Sequence, residues 1–209
     1  PVWGYNLCRY FADREMVAIS FQYRLSDNRK VTPIASIEDA KSAVRWTRQR
    51  ADTLGVDPGR IAAAGFSAGG HLAATTALLE DFQPPGEDTA VSATPNALLI
   101  WSAPVDVTLD PWYVRLLLGR TKAEETSPIH HVRSGLPPTA IFHGTADSTV
   151  PFSSVEQFHK AMLAADNHCE LHHYRGQQHL FEDAPNRRDV LNQMEAFLVT
   201  LGYIEPIEE

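Results

Sequence analysis

The chain has 209 residues, 44% hydrophobic and 21% charged, which fits one globular domain with a sizeable core and leaves little room for two. Its formal net charge of −8 argues against nucleic acid and anionic membrane surfaces as partners. No apolar run approaches the ~18 residues of a membrane span. The two cysteines, Cys8 and Cys169, form neither a disulfide framework nor a metal-type spacing, so free thiols are expected.

The opening residues, PVWGYNLCRYFADRE, have the pattern of neither a signal peptide nor a leader. MVAISFQY, residues 16–23, is compact and rich in β-formers and predicts a strand. A helix is expected over 36–55, with Ser36 as cap, Glu38 and Asp39 in the first turn and Gly55 closing the end. Ile37, Ala40, Ala43, Val44, Thr47, Ala51 and Leu54 fall on one side of it. VDPG, residues 56–59, reads as a turn. A buried strand follows over 60–66, although its alanines favour helix, and then a helix over 68–80. Further strands are expected at 97–103, 139–144 and 170–174, and further helices at 152–165 and 189–201. This alternation implies an α/β fold with a mainly parallel sheet and helices on both faces. Two stretches interrupt it, about 81–95 and 104–138, and both are expected beyond the strand C-termini, where ligands bind in such folds. Within the second, Trp112 and Tyr113 either line a substrate cleft or pack the insertion onto the body.

Ser67 sits in GFSAG, between a predicted strand and a predicted helix. The three fixed positions of G-x-S-x-G recur by chance about 0.07 times in a chain of this size, so context carries more weight than the motif. A serine whose Oγ stands clear of a sheet needs a very tight turn. Gly65 and Gly69 would keep side chains out of that turn, and the Ala68 N–H at the helix start would face a developing oxyanion. The alternative is a serine that merely caps the helix.

A nucleophilic serine needs a base. Of nine histidines, His179 in GQQHLF lies in a loop after a strand, where such groups belong. His172 and His173 fall within that strand, His71 on the helix after Ser67, and His143 at a strand end. Asp147, just past the 139–144 strand, is the carboxylate to orient His179, with Gly144 letting the chain turn out of the sheet; Asp106 is the runner-up. Ser67, Asp147, His179 is the chain order of one known arrangement of this triad.

On these residues the chain resembles the α/β-hydrolase fold, in the esterase and acetylesterase branch near the bifunctional feruloyl and acetyl-xylan esterases. The resemblance spans about residues 10–202. It rests on MVAISFQYRL, IEDAKSAVRWTRQRADTLGVDPGRIAAAGFSAGGHLAA, LPPTAIFHGTADSTVPF and HLF. It implies a serine hydrolase of small acyl or carbohydrate-linked esters, with Ser67, Asp147 and His179 as triad, Ala68 in the oxyanion hole, and neither metal nor organic cofactor. Two departures stand out. Relatives often read G-H-G-F around the histidine, where this chain has Leu180 after His179. The HGG-type loop that supplies the other oxyanion N–H groups is nowhere in the sequence.

The expectation is therefore a partial α/β-hydrolase domain over 1–209, lacking the first strands including the HGG-bearing one, with edges left open at residues 16–23 and 60–66. An export signal, if there is one, would lie upstream of Pro1. The alternatives are a prolyl-oligopeptidase-type serine peptidase and a catalytically impaired hydrolase-fold protein.

Overall fold

The computed structural model describes residues 2–27, 30–179, 181 and 183–205. Four parallel strands form the sheet in the order β1 (Ala62–Phe66), β2 (Ala97–Trp101), β3 (Thr139–Gly144), β4 (Cys169–Tyr174). Each follows the last in the chain and lies beside it in space, and parallel neighbours of this kind require crossover connections, which here carry helices. β2 and β3 are buried along their whole length, as expected of near-continuous apolar runs covered on both faces.

The helices are α1 (Val2–Ala12), α2 (Pro33–Gln49), the single turn α3 (Ala51–Leu54), α4 (Ala68–Leu78), α5 (Pro111–Leu116), α6 (Phe152–Ala164) and α7 (Ala184–Thr200). Strand alternation splits the core in two. Leu98, Ile100 and Ile141 pack with α4 and α6, while Leu99, Trp101, Ala140 and Phe142 pack with α7 and with Phe11 of α1. α4 is buried from Gly70 to Leu78, wedged between the sheet and α2, and its run of Gly, Ala and Thr is what lets it fit.

Several expectations need correction. Residues 16–23 form no strand; they run without a ladder to β1, held instead at their end by α2, where Arg24 N–H donates to Asp39 Oδ2 at 2.7 Å. A β-forming sequence stays out of a sheet when no neighbouring strand offers it donors and acceptors. The helix expected over 36–55 begins earlier, with Thr32 as N-cap and Pro33 in the first turn, and breaks at Arg50. Ser36 is interior to it and donates its hydroxyl to the Arg24 carbonyl. Gly55 does close the end, in the left-handed conformation. The last helix starts at Ala184 rather than 189, because Asp183 caps it and Pro185 is accommodated in its first turn. α1, unforeseen in the sequence, packs Leu7, Tyr10 and Phe11 onto the α7 side, and Tyr10 Oη donates to Glu195 at 2.6 Å.

The two insertions sit at opposite ends. Residues 104–138 leave the C-terminal end of β2, as expected. Residues 81–95 instead join the end of α4 to the start of β2, so they lie at the N-terminal edge of the sheet, away from the expected site. They are pinned there by α2: Arg45 Nε donates to Val91 O at 2.8 Å, and Arg48 to Thr94 O and Asn96. The far end of α4 is capped by cations, Lys41 on the Leu79 and Asp81 carbonyls and Arg133 on those of Ala77 and Leu78.

Candidate active site

Ser67 follows β1 directly and precedes α4, with φ 52° and ψ −122°. Such a left-handed backbone at a non-glycine residue costs on the order of 1–3 kcal/mol. Two bonds hold it: Ser67 N–H donates to Trp101 O at 2.9 Å, and Ser67 O accepts from His71 N–H at 3.0 Å. The tight turn also presses β1 against α4. A Cβ on Gly65 would lie 2.2 Å from the Gly69 carbonyl, and one on Gly70 would lie 2.7 Å from Ala103 Cβ. A Cβ on Gly69 would meet nothing within 4 Å. The glycines that the turn requires are thus Gly65 and Gly70, not the expected Gly65 and Gly69.

His179 Nε2 lies 2.8 Å from Ser67 Oγ, and His179 Nδ1 lies 2.8 Å from Asp147 Oδ2. An ionised carboxylate only accepts, so Nδ1 carries the proton and Nε2 turns its lone pair to the serine hydroxyl. Asp147 is buried, which pushes its carboxyl up. The His179 bond and the N–H groups of Val150 and Thr149 outweigh that and hold it below the usual carboxylate range. His143 donates from Nε2 to Val150 O at 3.0 Å, bracing the same turn, and burial keeps its pKa below the ordinary value.

The loops carrying Asp147 and His179 are stitched together. Thr145 N–H donates to Tyr174 O, Ala146 N–H to Gln177 O, and Gly176 N–H to Thr145 Oγ1. Gly144 is needed here for close approach rather than for a turn: its Cβ would lie 2.2 Å from Gln177 O. Phe66 sets its ring 5.3 Å from that of His179, and Phe181, fully buried, wedges between Trp101 and Tyr174 beyond it. Leu180 lies outside the described residues.

Ala68 opens α4, so its N–H is among the orphan donors of a helix N-terminus beside Ser67 Oγ. Asp106 is elsewhere, accepting from Thr108 and Ser127 to cap its own turn. His71 is buried one turn after Ser67; its Nδ1–H donates to Pro104 O and its Nε2 accepts from Tyr113 Oη at 3.3 Å. Tyr113 therefore packs the insertion onto the body, while its neighbour Trp112 is exposed. Sequence reasoning missed Ser102, which is fully buried at φ 46° and donates its hydroxyl to His179 O at 3.1 Å. One signal was available: a polar residue directly after the apolar run of β2. Among the described residues no group of His, Cys, Asp or Glu is arranged to hold a metal ion, and no helix is long and apolar enough to cross a membrane. Cys8 and Cys169 are free.

The arrangement can pass a proton from Ser67 Oγ to His179 while Asp147 balances the imidazolium charge. A parallel sheet covered on both faces, with the serine on a strand–helix elbow and partners on later strand ends, defines the α/β-hydrolase fold. The chain belongs to the BD-FAE family, whose profile matches residues 3–162. It is similar to a solved structure of Thermogutta terrifontis esterase 2 phosphoramylated by tabun, with 41% identity and a TM-score of 0.90 over 96% of this chain and 77% of that one. The same esterase with propionate bound gives 41% identity and a TM-score of 0.89, over 97% and 78%. Esterase LipC of Mycobacterium tuberculosis is 29% identical over 180 residues, 78% of this chain and 44% of that protein. The chain spans about half the length of the curated relatives it matches.

Proposed function

We propose that this chain carries a carboxylic ester hydrolase acting through a serine acyl-enzyme, with Ser67 as nucleophile, His179 as general base and Asp147 as the orienting carboxylate. The observation that carries the reading is the unbroken Asp147–His179–Ser67 hydrogen-bond relay, with Ser67 on a left-handed elbow at a helix N-terminus. His179 Nε2 takes the Ser67 proton as Oγ bonds to the ester carbonyl carbon. Ala68 N–H donates to the oxygen that becomes negative. The alcohol leaves with the proton from His179. Water, deprotonated by the same imidazole, then attacks the acyl carbon, and the acid departs as Ser67 regains its proton. Asp147 stays ionised throughout.

Small acyl esters are the proposed substrates, and carbohydrate-linked acyl esters are the biological form that the family resemblance favours. The propionate found in the related Thermogutta esterase supports a short acyl group. The esterase relatives favour ester over peptide bonds, against the peptidase reading. Residues 1–209 are read as one hydrolase unit, with 104–138 inserted on the site side.

A second reading, a hydrolase-fold protein of impaired turnover, is favoured by one observation. Among the described residues no strand covers the outer edge of β1, which is more exposed than β2 and β3. In the fuller reading an HGG-bearing strand laid along that edge completes the oxyanion hole; lacking one donor costs ~10²–10³ in rate.

The test is a fluorophosphonate probe followed by mass analysis, with turnover of 4-nitrophenyl acetate alongside an aminoacyl arylamide. An adduct on Ser67 and ester turnover that falls ~10⁴-fold or more in Ser67→Ala are expected. Unchanged turnover in Ser67→Ala would overturn the assignment, and labelling without turnover would favour the impaired form.

A further inference from the structure

The strand end Trp101–Ser102 touches all three loops that bring Ser67, Asp147 and His179 together. Trp101 O accepts from Ser67 N–H at 2.9 Å. Ser102 N–H donates to Phe142 O at 2.9 Å, on the strand that leads to Asp147. Ser102 Oγ donates to His179 O at 3.1 Å, across 77 residues of sequence. The residue that makes the last two bonds is unusual on two counts. Its φ of 46° is the left-handed backbone that glycine adopts without penalty, yet a serine holds it. It is also fully buried, where a hydroxyl is costly unless hydrogen-bonded.

We propose that Ser102 is a positioning residue for the base: its hydroxyl, held by the strained end of β2, anchors the main chain of His179 and so sets the Nε2-to-Oγ distance. The inference rests on the reading of Ser67, His179 and Asp147 as the reacting triad. Phe181 and Gln177 hold the His179 loop from either side through apolar packing and the Ala146 bond. Ser102 is the contact that reaches residue 179 itself from the strand bearing neither nucleophile nor carboxylate. Without it, the imidazole keeps its bonds to Asp147 and Ser67 only by its side chain, and its backbone is free to withdraw.

Two variants of the 209-residue chain test this. Ser102→Ala removes the donor and keeps the Cβ; Ser102→Gly removes the donor and relieves the left-handed backbone. Both are expected to slow fluorophosphonate labelling of Ser67 about tenfold to a hundredfold, the scale of misplacing a reacting group by about an ångström. In ester turnover the loss should fall on kcat with KM little changed, since the residue does not line the substrate's path. The downfield proton resonance of the His179 Nδ1–H bond to Asp147 should broaden or vanish in both. That signature does not require turnover. A merely structural serine predicts otherwise: Ser102→Gly, freed of strain, would then label at the wild-type rate with a sharp downfield resonance, and that result overturns the proposal. An unlabelled wild-type chain would instead overturn the triad reading beneath it, leaving the proton resonance to decide on Ser102.

Discussion

Gly144→Ala is the substitution that most directly tests how the site is built. The added Cβ would lie 2.2 Å from Gln177 O and 2.7 Å from Gln177 C, both backbone atoms that cannot swing away. Reaching ordinary contact at 3.4 Å means moving the Gln177 carbonyl by about 1.2 Å. That carbonyl accepts from Ala146 N–H, one residue before Asp147, and lies two residues before His179. The shift therefore pulls apart the two loops whose side chains meet at 2.8 Å. A displacement of about 1 Å at a reacting group costs ~10²-fold in rate. Overpacking of this kind costs about 1–3 kcal/mol, and each kcal/mol lowers Tm by roughly 2–4 °C at this chain length. The assay pairs a melting curve with the fluorophosphonate labelling rate. Labelling should drop by more than the loss of folded protein explains. A variant that labels at the wild-type rate with an unchanged Tm would refute both the close approach and its role in setting the His179–Asp147 geometry.

Two further outcomes are expected. Gly65→Ala should fold poorly or not at all, since its Cβ meets the Gly69 backbone at 2.2 Å. Gly69→Ala meets nothing within 4 Å and, as a Gly-to-Ala change within a helix, should hold or raise stability by about 0.5–1 kcal/mol; a lower Tm than wild type would contradict this. The second concerns pH. Burial, partly opposed by the Pro104 carbonyl, lowers the His71 pKa from 6.5 to about 4. Between those values the unfolded chain takes up a proton that the folded chain refuses, so stability falls as pH drops through that window and levels off below it. The full effect is about 3 kcal/mol. Melting curves from pH 7 to 4 should show His71→Asn losing less stability on acidification than wild type; parallel slopes would count against it.

What the sequence disclosed follows from where the physics is local. β3 was readable to the residue, since TAIFHG is an apolar run bounded by proline and a turn, and burial on both faces is what such a run means. That Ser67, Asp147 and His179 would meet was readable because an elbow and two strand ends leave marks in spacing and order, and the structure links the three through His179 by two hydrogen bonds. Residues 16–23 were misread because a strand is a property of a pair, and the β-formers there have no neighbour to bond. Gly69 was misjudged for Gly70 because which helical glycine faces the strand depends on the angle at which α4 leaves the elbow. The contact of Ser102 with His179 and the latch between His71 and Tyr113 could not be read for a related reason: the partners lie 77 and 42 residues apart in sequence, and the polar residue after β2 marks a position without naming its partner.

The parallel sheet also determines when this site comes into being. No two neighbouring strands are joined by a hairpin: Ala62 pairs with Ala97, Leu98 with Thr139, and Thr139 with Cys169, so every ladder closes a loop of thirty residues or more. Such topologies fold slowly, because loop-closure entropy is lost before contacts repay it. His179 stands beyond the last strand, so seating its imidazole at Ser67 needs β4 docked on the sheet. During synthesis the Ser67 elbow, whose N–H bonds Trp101 O, can form once β2 has emerged, still ahead of His179. On the proposed reading of Ser67 as nucleophile, its reactivity is thus a clock for the docking of the His179 loop, and a covalent probe added during refolding would time that step rather than the collapse before it.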